Sequence, residues 1–296
     1  MPEIPVVFTF DKRIILGAAV AIKSLIDNAN PDTVYRIYVY HPDIDNKTIV
    51  EFQKMFENSR HKINFEFVDK KRFKDAPISK GSWREVVYYR LLIPELLENY
   101  DKVIYSDVDV LFKKDLSEVY STDIENFEWG GIKAEVNNEN TISHRYFTEN
   151  KNEFIFWSGF MLINSKKMRE ENKIETFFET IKNFKERLKF FDLDTINLST
   201  DKIKPLDLKY CVLESIYAFD DFTKAKEYKY LKNVYSNNEI TNAKNDPAII
   251  HYAGELGKPW RRKNPPDEYK NYINKIPKKL RKYTFRDLRK RLMSKI

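Results

Sequence analysis

An α/β fold built on a mostly parallel sheet follows from three features of the sequence. Apolar, strand-like segments alternate with segments of helical period through the first third of the chain. A short apolar run, Val103-Ile104-Tyr105, leads directly into Ser106-Asp107-Val108-Asp109. No internal repeat and no Gly/Ser linker divides the 296 residues, so one large domain with a C-terminal appendage is the simplest organisation.

In order, residues 4–10 read as a first buried strand, with Asp11 at its end. Residues 14–26 carry apolar side chains at helical spacing, and Pro31 sits in the turn that follows. A second strand is expected over 34–40. Asp45 can cap a helix over 46–58, and a third strand follows over 63–68. This β-α-β-α-β order requires parallel pairing with right-handed crossovers. Residues 77–81 mark a loop, and 85–97 a helix. The strand at 103–105 then ends in the two aspartates. Beyond it we expect a short helix over 116–120, a strand over 127–134, a long polar loop over 136–153, and a strand pair or bend over 154–163. A long amphipathic helix over 173–190, a short helix beginning at Asp192, an irregular stretch over 205–214 and a last strand over 247–252 complete the reading.

Chemistry first enters at Asp107 and Asp109. In extended chain, alternate residues point to the same side, so both carboxylates can face one point at the carboxyl end of a central strand. Two hard oxygen ligands suit Mn²⁺ or Mg²⁺ carrying a phosphate-bearing substrate. An Asp-rich turn after a strand is the other reading. His251 ends an apolar strand and offers an imidazole to the same ion; satisfaction at a strand end is its alternative. Gly254, Gly257 and Lys258 follow in one loop. Glycines admit close approach of a phosphate, and lysine places a point charge on it.

Composition narrows the field. Cys211 is the only cysteine, which excludes an intramolecular disulfide and a cysteine-based zinc site. No apolar run is long enough to span a bilayer, and residues 1–10 lack the basic-then-apolar order of a secretory leader. These features predict a cytoplasmic location. The formal charge is +7, yet Lys275 to Ile296 holds ten Lys/Arg against Asp287, leaving residues 1–274 at −2. A nearly neutral body speaks against nucleic acid as a partner. Phe285, Leu288, Leu292 and Ile296 fall on one helical face among the basic residues. That pattern suits an anionic membrane surface, with a solvated tail as the alternative.

Six blocks, in order, resemble glycosyltransferase family 8, the retaining GT-A enzymes that include bacterial lipooligosaccharide and lipopolysaccharide galactosyl- and glucosyltransferases. They are Val7-Phe8-Thr9-Phe10-Asp11, Tyr89 to Leu97, Asp101 to Asp109, Phe156 to Asn164, Asp192-Leu193-Asp194, and His251-Tyr252-Ala253-Gly254 with Lys258-Pro259-Trp260. The resemblance implies a single GT-A, Rossmann-like domain over 1–265. The segment 266–296 would be a basic membrane-associating appendage, peripheral on the inner face of the cytoplasmic membrane. It also implies Mn²⁺-dependent transfer of a hexose, galactose or glucose, from a UDP-sugar to a glycan or lipid-linked glycan.

Residue by residue, the resemblance assigns the metal to Asp107, Asp109 and His251. It assigns the donor to Thr9, Asp11, Arg13, Arg90, Asp107, Val108, Ser158, Asp192, Gly254 and Lys258, and catalytic roles to Asp192, Asp107 and Arg90. Arg90 would pair with Asp107 or bind the donor sugar; a structural ion pair is its other reading. Two positions depart from the family pattern. Trp157 stands where an asparagine is frequent, and would stack on a sugar or fill the core. Leu193 stands where an amide has been proposed as nucleophile, and leucine cannot attack an anomeric carbon. Either Asp192 attacks, or the acceptor attacks from the leaving-group face. Asp192 otherwise reads as a cap for a helix near Thr195. A non-catalytic member that binds UDP-sugar or glycan without turnover is the alternative function.

Overall fold

The computed structural model describes residues 3–79, 84–139 and 147–293. Residues 80–81 of the expected 77–81 loop, 140–146 within the expected 136–153 loop, and Ile296 of the tail face lie outside the described residues.

The described strands are β1 (Glu3–Thr9), β2 (Val34–His41), β3 (Lys62–Phe67), β4 (Lys102–Ser106), β5 (Val110–Phe112), β6 (Trp129–Val136), β7 (Phe154–Asn164), β8 (Ile203–Pro205), β9 (Val212–Leu213) and β10 (Ile249–His251). Seven form one sheet in the order β3-β2-β1-β4-β7-β6-β8. β3, β2, β1 and β4 are mutually parallel, while β7 runs antiparallel to both β4 and β6. The sheet is thus mixed about a parallel core. A second, small sheet has the order β5-β10-β9.

Each face of the large sheet buries its own apolar layer. Ile4, Val6, Phe8 and Ile104 look into one cluster, with the 15–27 helix against it. Val7, Val103 and Tyr105 look into the other. This is the pattern required of strands covered on both faces. Tyr269, Ile273, Ile276 and Leu280 belong to the first cluster, so the chain after 266 packs in the same core as the strands.

Four expected elements differ. The 85–97 helix is a 3-10 helix over Glu85–Leu92 followed by one α-turn, Ile93–Leu96. Pro94 has no N–H to give the Arg90 carbonyl, and the N–H of Ile93 donates to that carbonyl instead, three residues on. The 154–163 pair is one continuous 11-residue strand. The irregularity shows in its pairing with β6: between Gly131 and Ile132 the partner jumps from Met161 to Trp157, so the surplus residues 158–160 lie on β7. The helix begun at Lys173 stops at Phe184, not 190. Asp194 accepts the N–H groups of Lys189 and Phe190 (2.7 and 2.8 Å) and bends the chain away. The 46–58 helix is α-helical only to Gln53, with a 3-10 turn over Lys54–Phe56. The 237–245 helix, closed by a Ser236/Glu239 capping box, was not read from the sequence.

Candidate active site

β4 ends at Ser106 and β5 begins at Val110, so Asp107 and Asp109 sit in a bend between strands of different sheets, not on an extended strand. The convergence expected from alternation arises here from strand pairing. On one side, the Asp107 N–H donates to the Gly159 carbonyl at 2.8 Å, tying the bend to β7. On the other, His251 of β10 lies opposite Val110, and the Tyr252 N–H donates to the Asp109 carbonyl at 2.8 Å. One register step therefore brings His251 to Asp109 from 142 residues away in sequence.

The three side chains form a compact set. One ligand atom from each of Asp107, Asp109 and His251 lies within 4.8 Å of the others. His251 Nε2 is 3.3 Å from Asp109 Oδ1 and 3.9 Å from Asp107 Oδ2. Its other ring nitrogen, Nδ1, faces the buried Sγ of Cys211 at 3.3 Å, which turns Nε2 toward the carboxylates. Cys211 is buried in the core, and its contact with His251 had no sequence signal. Two carboxylates and one imidazole are a fitting donor set for Mn²⁺ or Mg²⁺. A cation already stands at this spot, since the Lys258 ammonium is bonded to Asp109 Oδ2. Burial alone would raise the Asp109 pKa; Lys258 and His251 outweigh it and hold the carboxyl well below the usual carboxylate range.

No side chain would fit where Gly159 stands. A Cβ there would lie 2.8 Å from His251 Cε1 and 3.0 Å from Asp107 Oδ2. We expect Gly159→Ala to push two of the three groups apart and weaken divalent-cation binding by about tenfold, the scale of a disturbed supporting shell. A Mn²⁺ titration followed by electron paramagnetic resonance reads this directly. Unchanged affinity would show that the set tolerates the displacement.

Arg90 lies beneath the bend and is 6% exposed. Its Nη2 donates to Asp107 Oδ1 (2.9 Å), its Nε lies 3.2 Å from Asp192 Oδ2, and its Nη1 donates to the Ser158 carbonyl (2.5 Å). The guanidinium also covers the Tyr105 ring at 4.3 Å. Burial disfavours its charge, but Asp107 and Asp192 more than offset this and raise its pKa. Arg90 makes the ion pair with Asp107 and also lines the cavity described below.

Asp192 opens the helix Asp192–Leu198, the start read from the sequence, and the helix does not wait for Thr195 as the cap reading required. Its side chain is not a cap. Oδ2 accepts from the Ser158 hydroxyl at 2.8 Å and faces Arg90. Phe191, just before it, has φ +46°, a left-handed conformation that aims the helix start at the site. Burial, the largest effect, pushes the Asp192 carboxyl up to about 6, against the lowering pull of Arg90.

A cavity of about 500 Å³ joins these groups. Of the expected residues, Thr9, Arg90, Asp107, Val108, Asp109, Ser158, Asp192, His251, Gly254 and Lys258 line it. Asp11 and Arg13 do not. They pair with each other (2.6 Å) behind Phe10 and Ile14, and Asp11 caps the 12–14 turn through the Arg13 N–H. Thr9 reaches the same network through the Tyr105 hydroxyl (3.2 Å), which donates to Asp107 at 2.8 Å. Trp157 packs against the core and also faces the cavity, and Leu193 is in its wall. Gly254 has φ +101°, and a Cβ there would strike the Glu227 carboxylate that accepts the Glu255 N–H at 2.8 Å. Sequence reasoning missed Tyr230, Arg261 and Arg286, which reach the wall from separate segments without any motif of their own.

Comparisons with known proteins agree with this architecture. The family model described as glycosyl transferase family 8 matches residues 5–264. A lipopolysaccharide 1,2-glucosyltransferase of Escherichia coli is 26% identical over 256 residues, covering 84% of this chain and 71% of that protein. The galactosyltransferase LgtC, crystallised with donor and acceptor sugar analogues, superimposes with a TM-score of 0.75 at 22% identity, over 94% of this chain and 99% of that one. The bifunctional glycosyltransferase WbbM gives a TM-score of 0.76 at 22% identity over 98% of this chain, which spans 52% of WbbM. The chain belongs to glycosyl transferase family 8, has the α/β architecture of its GT-A neighbours, and is a glycosyltransferase.

Proposed function

We propose that the protein transfers a hexose, galactose or glucose, from a UDP-sugar to a hydroxyl of a glycan or lipid-linked glycan, with retention at the anomeric carbon. An acceptor in lipooligosaccharide or lipopolysaccharide core synthesis is supported by the glucosyltransferase relative. The observation that carries the reading is the meeting of Asp107, Asp109 and His251 with Lys258, Arg90 and Asp192 around one cavity.

Asp107, Asp109 and His251 would hold Mn²⁺ or Mg²⁺, which when bound neutralises negative charge on a diphosphate. The rest belongs to the side chains. Lys258, on a loop with two glycines at positive φ, is released from Asp109 to meet the departing phosphate oxygens. Thr9, Val108, Ser158 and Gly254 shape the wall against the nucleotide and sugar, with Asp11 and Arg13 supporting the nucleotide end through the 12–14 turn. Asp192, fixed by Arg90 and Ser158, accepts from donor-sugar hydroxyls. A carboxylate clamped by a guanidinium is a weakened nucleophile, and Leu193 has no nucleophilic atom. The acceptor hydroxyl therefore attacks from the face that the diphosphate leaves. Its oxygen bonds to the anomeric carbon as the carbon–phosphate-oxygen bond breaks, and its proton passes to the departing phosphate. Positioning and charge stabilisation supply the rate.

We also place the enzyme at the cytoplasmic face of an anionic membrane. Phe285, Leu288 and Leu292 are 83, 48 and 88% exposed on the Phe285–Met293 helix. Lys47, Lys54, Lys278, Lys279 and Lys282 surround the exposed Val50. No helix among the described residues is long and apolar enough to cross a membrane.

The test is UDP release from a panel of UDP-hexoses with Mn²⁺, with Mg²⁺ and with chelator. Metal-dependent release from one donor is expected and identifies the sugar. Metal-dependent UDP binding without release under any acceptor would point to the non-catalytic alternative, and no UDP binding at all would sink the reading.

A further inference from the structure

The C-terminal helix carries two unlike faces. Phe285, Leu288 and Leu292 look outward, while Arg286 lines the cavity together with Arg261 and Lys258. The helix is locked in place from inside. Asp287 is 1% exposed; its Oδ1 accepts from Arg261 Nε at 2.8 Å, and its Oδ2 accepts the Thr284 N–H and hydroxyl at 2.9 and 2.7 Å. Arg261 lies in the turn Pro259–Arg261, immediately after Lys258. Lys290, one turn beyond Arg286, is held below the usual lysine range by partial burial and then by the positive charges of Arg261 and Arg286, so the three cations form one cluster. Asp287 is itself committed on both oxygens, to Arg261 and to Thr284.

Lys258, Arg261 and Arg286, which open to the cavity, are matched to a multiply charged oxyanion, and a guanidinium fork binds phosphate oxygens in pairs. We propose that the C-terminal helix completes the donor site, with Arg286 and Arg261 forming a second phosphate-binding locus beside Lys258 for the diphosphate of the nucleotide sugar. The inference rests on the UDP-sugar reading for the identity of the ligand, but not for its charge. It makes the tail a wall of the donor cavity as well as a surface helix.

The test uses the full-length protein and calorimetric titration with three probes: inorganic pyrophosphate, UDP and uridine, each with Mg²⁺. Arg286→Ala should weaken pyrophosphate and UDP about tenfold, the loss of one charge-assisted contact, and leave uridine unchanged. Arg286→Lys should keep most of the affinity, and Lys290→Ala should show a smaller loss in the same direction. Pyrophosphate affinity unchanged in both alanine variants would overturn the proposal, as would a loss of uridine equal to that of UDP. If the wild-type protein binds pyrophosphate but not UDP, the nucleotide assignment fails while this locus stands. If it binds neither, both fall.

Discussion

Asp109→Asn should abolish high-affinity divalent-cation binding and lower kcat/KM by at least about a thousandfold, roughly 4 kcal/mol of transition-state stabilisation. The expectation has three parts. Asp109 is one of three candidate ligands within 4.8 Å of one another, so an amide there removes one of the set's two negative charges. It is held ionised by Lys258 and His251, so no protonation has to be overcome before a metal binds. Its loss also frees Lys258 from its partner. Mn²⁺ affinity by paramagnetic resonance and UDP release by coupled assay read the two consequences separately. A variant with intact metal binding but no turnover would assign Asp109 to substrate contact and not to the metal. Retention of both would remove the bend between β4 and β5 from the chemistry altogether.

Asp192→Asn should split activity from stability. The folded-state carboxyl titrates near 6, above its ordinary 3.8, because burial disfavours the charge more than Arg90 favours it. The sign follows from linkage. Between those two values the folded protein holds a proton that the unfolded chain has lost, so stability falls as pH rises through the window. Above pH 6 the ionised carboxylate costs the fold on the order of 3 kcal/mol relative to a neutral group of the same shape. Asparagine supplies that group. The variant should therefore melt higher than wild type at pH 8 and alike at pH 4, while losing at least about a hundredfold in kcat through the missing acceptor for sugar hydroxyls. Thermal melts across pH, beside initial rates at pH 8, test both halves. Equal melting at pH 8 would mean that Arg90 fully compensates the buried charge. Unchanged rates would move Asp192 from the donor site to the scaffold.

These two residues also show what could be read from the chain alone. The strands at 34–41 and 102–106 and the helix after Asp45 follow from apolar period and capping, both local properties. The same locality made Asp107 and Asp109 visible as a pair. His251 and Lys258 were candidates by their chemistry, and the family blocks joined them to the same site and added Arg90 and Asp192, because a motif preserves residue types in order even where their meeting point is hidden.

Tertiary structure decided the rest. That His251 faces Asp109 depends on the β5–β10 register, a pairing between segments 137 residues apart that no local pattern encodes. That Asp11 spends its carboxylate on Arg13, outside the cavity wall, depends on a turn whose backbone N–H competes for it. The end of the helix at Phe184 was set by Asp194 accepting two backbone N–H groups, which helical period cannot anticipate. Arg286 reads in sequence as one of many tail cations. Only the burial of Asp287 against Arg261 orients it toward the cavity. Sequence by itself determined which local elements form and which chemistry the chain carries, since these depend on neighbours along the backbone. Long-range pairing and burial decided where that chemistry converges, because each carboxylate and guanidinium takes its partner from whatever distant segment the core packs beside it.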